Sequence, residues 1–189
     1  MNDRIQQAIA KAPRENFLPE SVAEYGKEDM PVPIGYGVTN SQPSTVYQML
    51  EWLDVQPGHH VLDVGSGSGW TTAIIANLVG ENGHVTAVEL IPELVTMGEQ
   101  NCKNLGIKNV EFHEANDVIG WSDNAPYDRI LVSAAVEDVP SEFIEQLKLP
   151  GVLVIPVNEE MQVINKDKDG NLEAAIYYGF SFVPFKTSK

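Results

Sequence analysis

The ten residues 61–70, Val-Leu-Asp-Val-Gly-Ser-Gly-Ser-Gly-Trp, leave this chain few folds to choose from. A short apolar run gives way to glycines at 65, 67 and 69, and residues 71–79, Thr-Thr-Ala-Ile-Ile-Ala-Asn-Leu-Val, then carry a helical pattern. That order predicts buried strand, tight loop and helix. Glycine permits close approach and unusual backbone angles, and the free N–H groups at a helix start favour acidic or polar ligand groups. Trp70 stands where a dinucleotide fingerprint wants its last glycine, which sets NAD aside in favour of another adenosyl ligand.

Further strands and helices alternate down the chain. Residues 84–89 predict a strand ending in Glu89. It lies about 20 residues past the glycine loop, the separation at which a βαβ unit brings a carboxylate to two ribose hydroxyls. Residues 92–105 predict a helix closed by Gly106, and residues 110–114 a third strand. Ala115, Asn116 and Asp117 follow it directly, at the carboxyl end where ligands of open α/β sheets lie. Residues 127–133 form a fourth strand, Ser141 caps a short helix to Leu147, and residues 151–156 form a fifth. Residues 161–165 and 174–185 predict a hairpin around Asp169 and Gly170. The expected class is α/β, a doubly wound Rossmann-like sheet, mostly parallel, with a C-terminal antiparallel hairpin.

Ahead of this core, residues 4–11 carry Ile5, Ala8 and Ile9 at helical spacing, and residues 13–43 hold five prolines and three glycines. That density excludes continuous helix or interior strand, and irregular segments of this length tend to be binding loops or lids. Phe17, Leu18, Tyr25, Met30, Val32 and Ile34 give it apolar anchors, so an ordered cover is expected. Ser41-Gln42-Pro43 reads as a helix entry with Ser41 as cap, ahead of an apolar face of Val46, Met49, Leu50 and Leu53. Thr39 and Ser41 thus stand just before a helix N-terminus, where hydroxyls and N–H groups together suit a carboxylate.

The 189 residues suit one domain, with 1–43 as helix and cover and 44–189 as core and hairpin. A net charge of −15 argues against a nucleic-acid partner, which needs clustered Lys and Arg. No apolar run approaches the roughly 20 residues of a bilayer span, so no membrane partner is expected. The N-terminus lacks a cationic segment followed by an apolar one, and Cys102 is the only cysteine; a cytoplasmic location follows. His59, His60, His84 and His113 show no metal-ligand spacing, so no metal is expected.

Taken together the segments resemble the protein-L-isoaspartate O-methyltransferases, which use S-adenosylmethionine. The resemblance runs from about residue 4 to residue 185. It rests on Pro13-Arg14-Glu15-Asn16-Phe17-Leu18-Pro19, on residues 33–43 (Pro-Ile-Gly-Tyr-Gly-Val-Thr-Asn-Ser-Gln-Pro), on the glycine loop, on Ala125-Pro126-Tyr127-Asp128-Arg129-Ile130 and on Phe182-Val183-Pro184-Phe185. The Thr-x-Ser-Gln-Pro segment is the specific part. The resemblance implies methyl transfer to the carboxylate of L-isoaspartyl residues in damaged proteins, followed by collapse of the ester to a succinimide. It implies that Ser41, helped by Thr39, positions that carboxylate. Gly65, Ser66, Gly67 and Gly69 would approach the methionine end of the cofactor, Glu89 would take the ribose, and Ser133, Ala134 and Ala135 would line the acceptor site.

Three departures stand out. Ala115-Asn116-Asp117 replaces the family's Gly-Asp-Gly, leaving Asn116, or Asp117 after a one-residue shift, to accept from the adenine amine. Gly37-Val38-Thr39-Asn40-Ser41 replaces Gly-Gln-Thr-Ile-Ser, and Pro150 and Asn158 replace glycines expected near the substrate. These changes keep two alternatives open: a methyltransferase acting on another carboxylate or a small molecule, and a non-catalytic cofactor-binding relative.

Overall fold

The computed structural model describes residues 2–187. Its frame is a seven-stranded sheet in the order β5-β4-β3-β6-β7-β8-β9. The strands are β3 (His60–Val64), β4 (His84–Glu89), β5 (Val110–Glu114), β6 (Tyr127–Val132), β7 (Leu147–Val157), β8 (Glu160–Lys166) and β9 (Leu172–Tyr178). The first five are parallel and the last two antiparallel, in keeping with the expected sheet and hairpin.

Alternate side chains of the strands enter two apolar layers. Val61, Val85, Leu131 and Val154 pack against α1 (Asp3–Ala10), α2 (Pro43–Leu53) and α3 (Trp70–Val79) through Ile5, Leu50, Leu53, Ile74 and Ile75. Leu62, Val64, Ile130, Leu153 and Ile155 pack on the other face with Phe143 of the short α5 (Ser141–Glu145). Ile119 and Trp121 extend that second layer. The helix α4 (Pro92–Asn104) ends as expected at Gly106, whose φ is +72°.

Several boundaries move for physical reasons. Ser41 is not the cap of α2: Gln42 holds that position without a side-chain bond, and Asp29 Oδ1 accepts the Ser44 N–H instead at 2.9 Å. Pro140, not Ser141, precedes α5, which ends at Glu145 because β7 begins at Leu147 and pairs Tyr127 with Leu147. The second arm of the hairpin stops at Tyr178. Gly179 then adopts a φ of +91° and turns residues 180–187 back over the sheet, where Phe185 N–H donates to Ala135 O at 2.7 Å.

The irregular N-terminal segment is ordered by short pieces. Two 3-10 turns (Arg14–Phe17 and Glu20–Lys27) lead into a two-stranded ribbon, β1 (Val32–Gly35) and β2 (Val38–Asn40). The ribbon turns through Tyr36 and Gly37 at φ +56° and +76°.

Candidate active site

Strand order reverses between β3 and β6, and the carboxyl ends of β3, β4, β5 and β6 open there into a cavity of about 530 Å³. An open α/β sheet places its ligand crevice at such a point. Gly65 and Gly67 form its floor, Glu89, Leu90 and Ile91 one side, Ala115, Asn116, Val118 and Ile119 the next, and Ser133 and Ala134 the last. Residues 36–39 and Ser41 of the cover and residues 183–187 of the tail roof it.

The glycine loop does not work as a row of free N–H donors. Gly65 and Ser66 N–H both donate to Val88 O at 2.8 and 3.2 Å, Gly67 N–H to Glu89 Oε2 at 2.8 Å, and Gly69 N–H to Ser66 O at 2.9 Å. What the loop offers the cavity is bare backbone. Gly65 and Gly67 hold φ of +76° and +53°. A Cβ at 69 would come within 2.9 Å of Gly98 Cα, so Gly69 serves the packing of α3 on α4.

Glu89 is buried and its carboxylate is shared. Oε1 accepts Leu90 and Ile91 N–H at 2.8 and 3.1 Å, and Oε2 accepts Gly67 N–H, leaving Oε2 one lone pair for a hydroxyl from the cavity. Deeper in, Asp63 is wholly buried on β3 and accepts the Thr72 hydroxyl at 2.6 Å, while its Oδ1 has no partner. Burial, reinforced by the charge of Glu89, pushes its carboxyl up to about 6. Its signal in the sequence is an acid inside the otherwise apolar run of residues 61–64, which the glycine pattern does not explain.

Opposite the glycines, Ser41 is fixed by its main chain. Arg14, 4% exposed, donates through Nη2 to Ser41 O at 3.0 Å, Asn40 O at 3.1 Å and Met30 O at 2.8 Å. Its Nη1 donates to Glu28 O at 3.0 Å, and its guanidinium lies 5.3 Å from the centre of the Trp70 ring. The carboxyl of Asp29, which accepts from Ser44 N–H and the Gln42 side chain, is held below the usual carboxylate range mainly by the Ser44 bond. A second cavity, of about 630 Å³, opens on the outer side of Ser41. It shares Thr39, Ser41, Ser133 and Val183 with the first and is completed by Pro31, Thr45 and Phe180–Phe182 of the tail.

Thus Thr39, Ser41, Gly65, Gly67, Glu89, Asn116, Ser133 and Ala134 meet around one space. Ser66, Gly69, Asp117 and Ala135 do not line it. Ser66 is buried with its Oγ unpartnered, and Ala135 carries the tail. Asn116 Oδ1 accepts Val118 N–H at 2.7 Å, which leaves it a single lone pair for a ligand amine. Pro150 and Asn158 line neither cavity, contrary to their expected place near the substrate. Asn158 turns β7 into β8 at φ +53°, a conformation that Asn tolerates well. Arg14, Leu90, Ile91 and the tail residues 183–187 are site residues that no periodicity marks: the sequence places Arg14 and Phe182–Phe185 only in segments shared with the family and reads residues 174–185 as a hairpin arm.

The family model of protein-L-isoaspartate(D-aspartate) O-methyltransferase matches residues 1–189. The chain belongs to the protein-L-isoaspartate O-methyltransferase family. It is 41% identical over 187 residues to the protein-L-isoaspartate O-methyltransferase of Methanothrix thermoacetophila, covering 97% of this chain and 88% of that one. The Methanopyrus kandleri enzyme of the same name is 42% identical over 188 residues, 97% and 83% of the two chains. A solved protein-L-isoaspartate O-methyltransferase superposes with a TM-score of 0.88 at 31% identity over 98% of this chain, which spans 62% of that one. A Plasmodium falciparum chain described as a member of the family, in complex with S-adenosyl-L-homocysteine, gives 0.85 at 25% identity over 99% and 92%.

The residues of this family member fit an S-adenosylmethionine. A cavity of this size, with apolar Leu90, Ile91, Val118 and Ile119 around a few polar groups, suits a nucleoside. The free lone pair of Glu89 suits a ribose hydroxyl. A glycine loop with its N–H groups turned inward presents no positive edge to a sulfonium.

Proposed function

We propose that this chain transfers a methyl group from S-adenosylmethionine to the carboxylate of L-isoaspartyl residues in damaged proteins. The observation that carries the reading is the shared wall: Thr39, Ser41, Ser133 and Val183 line both the inner cavity and the outer one. A cofactor in the first and a peptide side chain in the second would meet at Ser41.

When bound, S-adenosylmethionine supplies an electrophilic methyl on a positively charged sulfur. Glu89 would hold the ribose and the bare backbone of Gly65 and Gly67 the methionine end, with Asn116 near the base. Ser41 and Thr39 would donate hydrogen bonds from their hydroxyls to the acceptor carboxylate and set its direction of approach. An ionised carboxylate is already a nucleophile, so the site needs no general base. The chain's contribution is orientation, which is worth up to roughly 7–11 kcal/mol. The N-terminal segment adds a helix to the core and a cover, residues 13–43, that together with the tail keeps water from the shared wall.

The partner is a damaged polypeptide. The −15 charge supports a reading without nucleic acid, and a single, free, buried Cys102 supports a cytoplasmic setting. Among the described residues no helix is long and apolar enough to cross a membrane. The test is incubation with radiolabelled S-adenosylmethionine and matched peptides holding isoaspartate or aspartate. Base-labile label on the isoaspartyl peptide alone is expected; its absence, with cofactor binding intact, overturns the reading.

A further inference from the structure

Asn40 is buried, 6% exposed, and polar at a position where the family resemblance implies isoleucine. Both ends of its amide are used. Oδ1 accepts Arg14 Nε–H at 2.7 Å, and Nδ2 donates to Ser68 Oγ at 3.1 Å. Ser68, 1% exposed, belongs to the glycine loop, and its carbonyl accepts from Asn101 of α4 at 3.0 Å. Asn40 also precedes Ser41 directly, and the same Arg14 holds the carbonyls of both.

The network therefore runs without a gap from the loop under the cofactor to the loop that presents the acceptor. The bonds of the Asn40 amide to Arg14 and Ser68 are buried, where an unmade bond is expensive and a made one holds position. An isoleucine at 40 would fill the space and transmit nothing directional. Gly67, one residue before Ser68, donates to Glu89, so a ligand that engages Glu89 bears on the glycine loop at the point where Asn40 is attached.

We propose that Asn40 is a positioning residue that couples the two cavities: occupancy of the cofactor side orders the Ser41 loop, and occupancy of the acceptor side tightens the cofactor. The role assigned to Ser41 rests on the function proposed above, whereas the mechanical link does not. Coupling between sites is reciprocal, so one factor applies in both directions, commonly about fivefold or more.

Two substitutions cut the link. Ser68→Ala removes the acceptor of Nδ2 and spares the Arg14 contact, and Asn40→Ile removes both ends of the amide while Arg14 keeps its bonds to the carbonyls of Glu28, Met30, Asn40 and Ser41. Hydrogen exchange of residues 38–42 is measured with and without S-adenosyl-L-homocysteine, and thermal melting checks that each variant is folded. In the unsubstituted protein the ligand is expected to slow exchange about fivefold or more, and in both variants less than about twofold. The Km for isoaspartyl peptide at saturating cofactor should rise by a similar factor, with S-adenosyl-L-homocysteine affinity in the absence of peptide little changed. No protection in the unsubstituted protein, or equal protection in folded variants, overturns the coupling. Protection that depends on Asn40 and Ser68 in a protein that labels no isoaspartyl peptide leaves the coupling standing and removes the acceptor reading.

Discussion

The cofactor side of the cavity and its acceptor side are built in different ways. On the first, Gly65, Glu89 and Ser133 sit at the ends of β3, β4 and β6, whose parallel ladders and buried faces fix them to one another. On the second, Thr39 and Ser41 stand on a segment of 3-10 turns and a short ribbon, held by one buried guanidinium that bonds to main-chain oxygens. A sheet end gives a position that many contacts enforce. A clamped loop gives one that a few bonds enforce, so it can adjust to a bulky polypeptide and can be lost by a single change.

The difference can be tested from its largest expected effect downward. Asp63→Asn probes the sheet side. The folded value of Asp63, about 6, lies above the ordinary 3.8, so the shift has no effect on stability below about pH 4, and stability falls between pH 4 and 6, where the unfolded chain releases the proton that the folded one keeps. Asparagine should remove that loss, so that at pH 7 the variant is the more stable by up to about 3 kcal/mol, with the gap closing on acidification. Coincident melting curves at pH 4 and pH 7 would show that Asp63 is not held in its unfavourable buried state.

Next comes Ser41→Ala on the clamped side. Loss of a hydrogen bond to a charged carboxylate is worth about 1.5–3 kcal/mol, roughly 10- to 100-fold in kcat/Km for isoaspartyl peptide. Cofactor affinity measured by calorimetry without peptide should stay within about twofold, and stability should hardly change because Ser41 caps nothing. Equal loss of both affinities would erase the division between the two sides.

Gly69→Ala should cost about 2 kcal/mol of stability, since its Cβ would meet Gly98 backbone at 2.9 Å from a residue at φ +85°. Melting should fall by several degrees. The smallest effect belongs to Asp29→Ala, which removes the true cap of α2 and should cost about 1 kcal/mol. Because the folded carboxyl lies below its ordinary value, this contribution is fully present above the usual carboxylate range and is lost as pH falls below that range, through the lowered folded value. A urea titration at pH 7 and pH 3 separates the two conditions.

The same contrast explains what could be read before the fold was known. Strands and helices of the core announce themselves by period and by glycine and proline punctuation, which is why residues 84–89 and 110–114 fall where expected. Ser41 and Glu89 were legible because they stand at fixed distances from such signals. Arg14 was not, since a cation in a turn gives no sign that it will be buried under five carbonyl and amide oxygens. The tail misled for a related reason: its aromatic residues look like more hairpin, and only the turn at Gly179 takes them out of the sheet.

That tail has a consequence in time. Residues 183–187 complete a roof that begins at Tyr36, over a cavity whose floor is laid at Gly65. A chain emerging from a ribosome at about 5–20 residues per second can bury the β3-α3-β4 unit several seconds before residues 183–187 appear. The site is therefore closed only after all seven strands of the sheet have been made. A copy synthesised only through β4 has a glycine loop and Glu89 but no closed place to do chemistry.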